Sequence, residues 1–196
     1  MFKLLRRLYD WVLSFANTKY APLALFALAF IESSFFPVPP DLLLIALAIS
    51  LPKKSFKYAL LCSIGSVLGG IFGYMIGYGL YDLIGVKIIS YLGYENYFEI
   101  IGNLYRENAF FAILTAAFTP IPYKVFTIAA GFWKVDLITF ILASIIGRSA
   151  RFFIVAGLIY VFGARIKIFI DKYFSLLTIT FMLLLVGGFL ILKYLL

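Results

Sequence analysis

The chain has no histidine, one cysteine (Cys62) and only nine acidic residues in 196. Without an imidazole there is no histidine-dependent hydrolysis of the serine-protease or HExxH kind, and no His–Cys zinc cluster. A single cysteine excludes an intramolecular disulfide. No nucleophile–base pair stands at a recognisable spacing and no metal set is present, so neither an enzyme nor a cofactor is expected. Polar sequence is scarce too: Asp82 to Glu107 is the only long polar stretch. No cleavable signal is expected, because Asp10 interrupts the candidate apolar region and no small-residue cleavage site follows.

What is present is apolar. The chain is 64% hydrophobic with a mean hydropathy of +1.06, the composition of a membrane protein. The expected class is all-α: one polytopic integral membrane domain over residues 1–196. The net charge is +8. These charges lie between apolar spans, which points to membrane topology and anionic lipid, with no nucleic-acid partner.

Ile31 to Asp41 reads Ile-Glu-Ser-Ser-Phe-Phe-Pro-Val-Pro-Pro-Asp. Twelve uncharged residues precede Glu32 from Tyr20, and eleven follow Asp41 to Pro52. Neither run reaches the roughly 20 residues that cross a bilayer. A single helix through both would hold Pro37, Pro39 and Pro40 at its centre, where proline removes a donor and clashes with the preceding turn. Residues 20–52 are therefore expected to form a re-entrant hairpin. Residues 108–133 repeat the pattern, with Pro120 and Pro122 at the turn and Lys124 at depth. Broken backbone and charge survive there only inside protein or a watery cavity.

The rest of the chain falls into place around these two segments. Residues 1–17 read as an amphipathic interfacial helix, with Leu5, Leu8, Val12 and Phe15 on one side. Residues 58–81 form a span carrying Gly65, Gly69, Gly73 and Gly77, a stripe for close helix packing within the chain or in a homo-oligomer. Residues 82–107 suit an extracytoplasmic interfacial segment, rich in tyrosine. Residues 137–164 and 173–192 are further spans. Segments 1–19, 53–57 and 165–172 carry +3, +3 and +2; segment 82–107 carries −2. The positive-inside rule puts the first group, and the N-terminus, in the cytoplasm.

Pro37-Val38-Pro39-Pro40-Asp41 aligns without gaps on Pro120-Ile121-Pro122-Tyr123-Lys124. Each is followed by a basic break and a span, with Ser63-Ile64 in one and Ser144-Ile145 in the other. The hairpins open to opposite sides, so the halves form an inverted repeat, a transporter signature. Five charges are embedded: Glu32, Asp41, Lys124, Arg148 and Arg151. At about 2.5–3.5 kcal/mol each on insertion scales, they require strong compensation. One reading is a salt-bridge network locking the hairpins. The other is an anion site in which Arg148, Arg151 and Lys124 hold a phosphate, while Glu32 and Asp41 gate it or carry protons.

Glu32, Phe36-Pro37-Val38-Pro39-Pro40-Asp41, Phe118-Thr119-Pro120-Ile121-Pro122-Tyr123-Lys124, Ala130-Gly131 and Gly147-Arg148-Ser149-Ala150-Arg151 together resemble the DedA family, also called the VTT or SNARE-associated domain, in its YqaA-like branch. The resemblance covers roughly residues 20–165. It implies opposed re-entrant hairpins and translocation of a lipid with an anionic phosphate headgroup, either undecaprenyl phosphate or a phospholipid, with proton coupling through the acids. Many members carry arginines where this chain has Ala117 and Tyr123, and Pro-Gly-Glu where it has Pro-Pro-Asp. The expected function is thus a lipid flippase or scramblase. The alternatives are an H⁺-coupled small-ion or solute transporter and a non-transporting membrane scaffold.

Overall fold

The computed structural model describes residue 18 and residues 20–34, 39–81, 83, 91, 95–119 and 122–163. The expected interfacial helix at 1–17, the span at 173–192 and the tip residues Pro37 and Pro120 lie outside the described residues. Among the described residues every regular element is helical. These are α1 (Ala21–Ser34), α2 (Asp41–Ser50), a 3₁₀ turn (Pro52–Lys54), α3 (Ser55–Leu80), α4 (Glu95–Glu107), α5 (Ala109–Phe118), α6 (Tyr123–Phe132) and α7 (Leu137–Phe162).

Among the described residues, two helices are long and apolar enough to cross a membrane. Pro52–Leu80 has 29 residues and Leu137–Phe162 has 26, or about 43 and 39 Å at 1.5 Å per residue. α3 begins at Ser55, earlier than residue 58, so Lys57 lies in its first turn; the Ser55 hydroxyl donates to the Pro52 carbonyl at 2.7 Å. The other apolar helices are short. α1 has 14 residues, and α2, α5 and α6 have 10 each, about 21 and 15 Å against a hydrocarbon core of roughly 30 Å.

Proline sets the breaks. Thr119 ends α5 with extended backbone, φ −84 and ψ 170, the conformation forced on a residue that precedes proline. Pro40 leads into α2, and Asp41 follows in its first turn, where a carboxylate suits the positive end of the helix dipole. α7 begins on Asp136, whose carboxylate accepts from the Thr139 N–H at 2.7 Å and its hydroxyl at 2.8 Å. These bonds hold the Asp136 carboxyl below its usual range. The α6–α7 turn needs a positive φ at Lys134 (φ 52). Lys134 and Val135 donate back to the Gly131 and Ala130 carbonyls, and the Lys134 ammonium sits 4.9 and 4.7 Å from the Tyr78 and Tyr81 rings.

The arms do not pack mainly on one another. α1 lies along α3, and α5 lies along α7. The second arms cross over: α2 reaches α7 as well as α3, and α6 reaches α3. Glycine makes these approaches possible. A Cβ at Gly69 would strike the Phe30 carbonyl of α1, and one at Gly77 the Ile128 carbonyl of α6. The glycine edge of α3 is thus covered by two arms of the same chain.

Two apolar cores result. One joins Leu25, Ala29, Leu43, Leu44, Tyr58, Cys62 and Phe152. The other joins Ile113, Ala116, Tyr123, Ala130, Phe140 and Ala143. The opposite faces of α3 and α7 expose large apolar side chains, among them Leu60, Leu68, Ile138, Leu142 and Ile154, a surface suited to lipid. The amphipathic α4 is fastened to the second core. Tyr105 donates to the Phe126 carbonyl at 3.1 Å, and Arg106 to the Trp133 carbonyl at 3.1 Å.

Candidate functional site

Between the two cores lies a buried polar layer: Ser33, Ser34, Ser63, Ser66, Thr127, Ser144 and Arg148. It forms where α1 and α6 meet the middle of α3, opposite the middle of α7. Arg148 is its centre. Its Nη2 donates to Glu32 Oε2 at 2.6 Å and to Ser33 Oγ at 3.1 Å, and its Nε donates to Ser66 Oγ. Its guanidinium carbon sits 4.8 Å from the Tyr123 ring centre and 5.0 Å from that of Phe152. Ser33 and Ser66 share a hydroxyl–hydroxyl bond of 2.7 Å. This guanidinium is enclosed, with its Nε and Nη2 paired, the condition under which a buried charge is tolerated.

One turn further along α7, Arg151 makes a second cross-chain bridge. Its Nη2 meets Asp41 Oδ2 at 2.8 Å, and its Nη1 donates to the Thr119 carbonyl at 3.0 Å. It therefore ties the start of α2 to the end of α5. The two pairs differ in depth. The Arg148 and Glu32 side chains are 3% and 16% exposed, those of Arg151 and Asp41 22% and 19%. Lys124, in the first turn of α6, is partly buried and makes no ion pair among the described residues. Two acids against three bases leave the site positive by one charge.

Hydroxyls finish the layer. Tyr123 donates to Ser144 Oγ at 2.5 Å, and Ser144 donates to the Phe140 carbonyl at 2.6 Å. Ser34 donates to the Gly69 carbonyl at 3.0 Å. Thr127 donates to the Lys124 carbonyl at 2.9 Å and lies 3.5 Å from the Ser33 carbonyl.

Residues 36–161 match the VTT domain as a family. The chain belongs to the VTT domain (DedA) family. An uncharacterized protein of Haemophilus influenzae is 35% identical over 156 residues, covering 80% of this chain and 81% of that one. An uncharacterized homologue from Histophilus somni is 34% identical over 156 residues, with the same coverage of 80% and 81%. No solved structure matches. VTT-domain proteins are generally non-enzymatic and membrane-associated, and membership points to a transporter-like role in the membrane. The VTT-domain match takes in Asp41, Lys124, Arg148 and Arg151; Glu32 and Ser33 lie just ahead of it.

Four of the five embedded charges singled out in the sequence converge as two ion pairs. Pro39 and Pro122 are exposed, whereas Pro40 is buried. Gly65, Gly69, Gly73 and Gly77 all face α1 or α6. Sequence reasoning missed the roles of Ser33, Ser34, Ser66, Tyr123 and Thr127. Their signal was available, because each is a hydroxyl in an otherwise apolar helix. Such groups need partners in hydrocarbon, and Ser66 stands among the glycines of the packing stripe.

Proposed function

We propose that this chain moves an anionic lipid with a phosphate headgroup, undecaprenyl phosphate or a phospholipid, between leaflets of a bacterial inner membrane. The observation that carries the reading is Arg151 together with Arg148, held where the two proline-broken segments meet. Arginine donates two parallel hydrogen bonds to phosphate as well as to carboxylate. In the paired state Glu32 and Asp41 occupy those donors, and a phosphate would compete for them. Lys124 adds a positive charge in the first turn of α6, where the helix dipole is also positive. Protonation of Glu32 or Asp41 would release an arginine, which couples the exchange to protons.

The architecture that goes with this reading is a pair of re-entrant hairpins, 20–52 and 108–133, entering from opposite faces. The crossed contacts support an inverted repeat: α1 on α3 resembles α5 on α7, and α2 on α7 resembles α6 on α3. In this reading the basic segments, and with them the N-terminus, face the cytoplasm. A non-transporting scaffold is disfavoured, since the glycine edge it would use for assembly is covered from within the chain.

The test is lipid flipping in proteoliposomes. Arg151→Ala and Arg148→Ala should each lower the rate at least tenfold at equal incorporation. Unchanged flipping in both would remove the phosphate assignment. Ion flux that needs no lipid substrate would favour the H⁺-coupled solute reading.

A further inference from the structure

A groove of about 280 Å³ opens between α5 and α7. Leu114, Phe118 and Ile146 give it apolar walls, and Thr115, Thr119 and Ala150 complete it. It exists because α7 is thinned along this line. Gly147 lets α5 approach until a Cβ there would sit 2.6 Å from Ala117 Cβ, and Ala150 fills little space one turn on.

The two halves differ at this place. Aligning the proline segments sets Thr115 where the first half has Glu32. Aligning Ser63 with Ser144 sets Gly147 where it has Ser66. In the first half those two side chains are filled by their bonds to Arg148. In the second, α5 closes onto Gly147, and the short Thr115 leaves the adjoining space open.

The groove has a cationic end. Thr119, one of its lining residues, accepts from Arg151, which directly follows Ala150 and stays 22% exposed. An apolar trough leading to an accessible guanidinium is complementary to an amphiphile with an anionic head. The volume lies just below the roughly 300–1,000 Å³ of whole-ligand pockets, and its apolar walls suit a stretch of hydrocarbon chain. We infer that the α5–α7 groove holds one hydrocarbon chain of an anionic lipid, whose headgroup replaces Asp41 on Arg151. This rests on the phosphate-lipid reading above and adds where the tail lies and which arginine meets the head.

The full chain in nanodiscs is exposed to phosphatidic acid carrying a photoactivatable diazirine in one acyl chain, with phosphatidylcholine bearing the same chain as comparison. Adducts are mapped by mass spectrometry. Phosphatidic acid should label groove residues at least fivefold more than phosphatidylcholine does. Ala150→Trp should cut that labelling at least fivefold while leaving labelling of Leu60 and Leu68 on α3 unchanged, which reports an intact fold. Arg151→Gln should remove the preference for phosphatidic acid. Even labelling of groove and outer faces, or labelling indifferent to Ala150→Trp, overturns the groove. Equal labelling by both lipids overturns the pairing with Arg151. Flipping measured on the same preparation separates the claims: flipping without groove labelling sinks the groove alone, and groove labelling without flipping sinks the transport reading alone.

Discussion

The α1–α3 half supplies Glu32 and Asp41 to the central layer, and the α5–α7 half supplies Lys124, Arg148 and Arg151. Both halves place two short arms and one long helix in the same order, with serine at matching points of the long helices. Because the buried charges of one half are all acids and those of the other all bases, neither half can satisfy its own embedded groups. Both ion pairs therefore run between halves, linking residues 116 and 110 positions apart. The charges dictate an assembled molecule, because an unpaired half would leave ions in hydrocarbon.

The sharpest way to break this dependence is Arg148→Ala. It leaves Glu32 without its partner and should cost about 3–5 kcal/mol, the range for breaking a buried pair. Thermal unfolding of the purified chain measures it. Combining it with Glu32→Leu should recover most of the loss, because the stranded charge goes too. A double variant as unstable as the single would show that the pair itself, and not the orphaned ion, carries the stability.

Arg151→Ala comes next. It removes a more exposed guanidinium with two partners, for about 2 kcal/mol on the scale of hydrogen bonds to charged groups, while lowering flipping far more than stability. A larger destabilisation than Arg148→Ala would reverse the depth order of the two pairs. Ser66→Ala should cost about 1 kcal/mol, by depriving Arg148 Nε of its acceptor. No change in melting would mean that Ser33 and Glu32 hold the guanidinium alone.

The smallest effect concerns how the two long helices start. α7 begins on the Asp136 cap, whereas α3 begins at Lys54 with no side-chain cap. The Asp136 carboxyl is held low by bonds made in the fold. Its contribution is thus present above the unfolded carboxylate value of about 3.9 and fades as pH falls through the lower folded value. Wild type should lose a little thermal stability as the pH drops below about 4. Asp136→Ala should lack that component, so an identical acid dependence in both would contradict the cap.

Much of this was written locally. Prolines break the helices where their neighbours' backbones require it, as Thr119 shows by turning extended. Charges flanked by apolar runs too short to span announced an enclosed polar layer. The hydroxyl network was harder to read, because Ser33, Ser66 and Thr127 have value only through partners on other helices. The glycine stripe announced close packing without naming the neighbour, since a glycine records room for an approaching backbone and nothing about its identity.

An apolar chain without histidine, broken twice by proline and carrying five charges that need shelter, is legible residue by residue. Packing alone sets α2 and α6 across to the other half's long helix, joins Glu32 to Arg148 and Asp41 to Arg151, and leaves a trough beside Thr119. Composition and proline act within a few residues of their own position. Which acid meets which base depends on how arms more than a hundred residues apart pack through glycine contacts, and no local pattern encodes that.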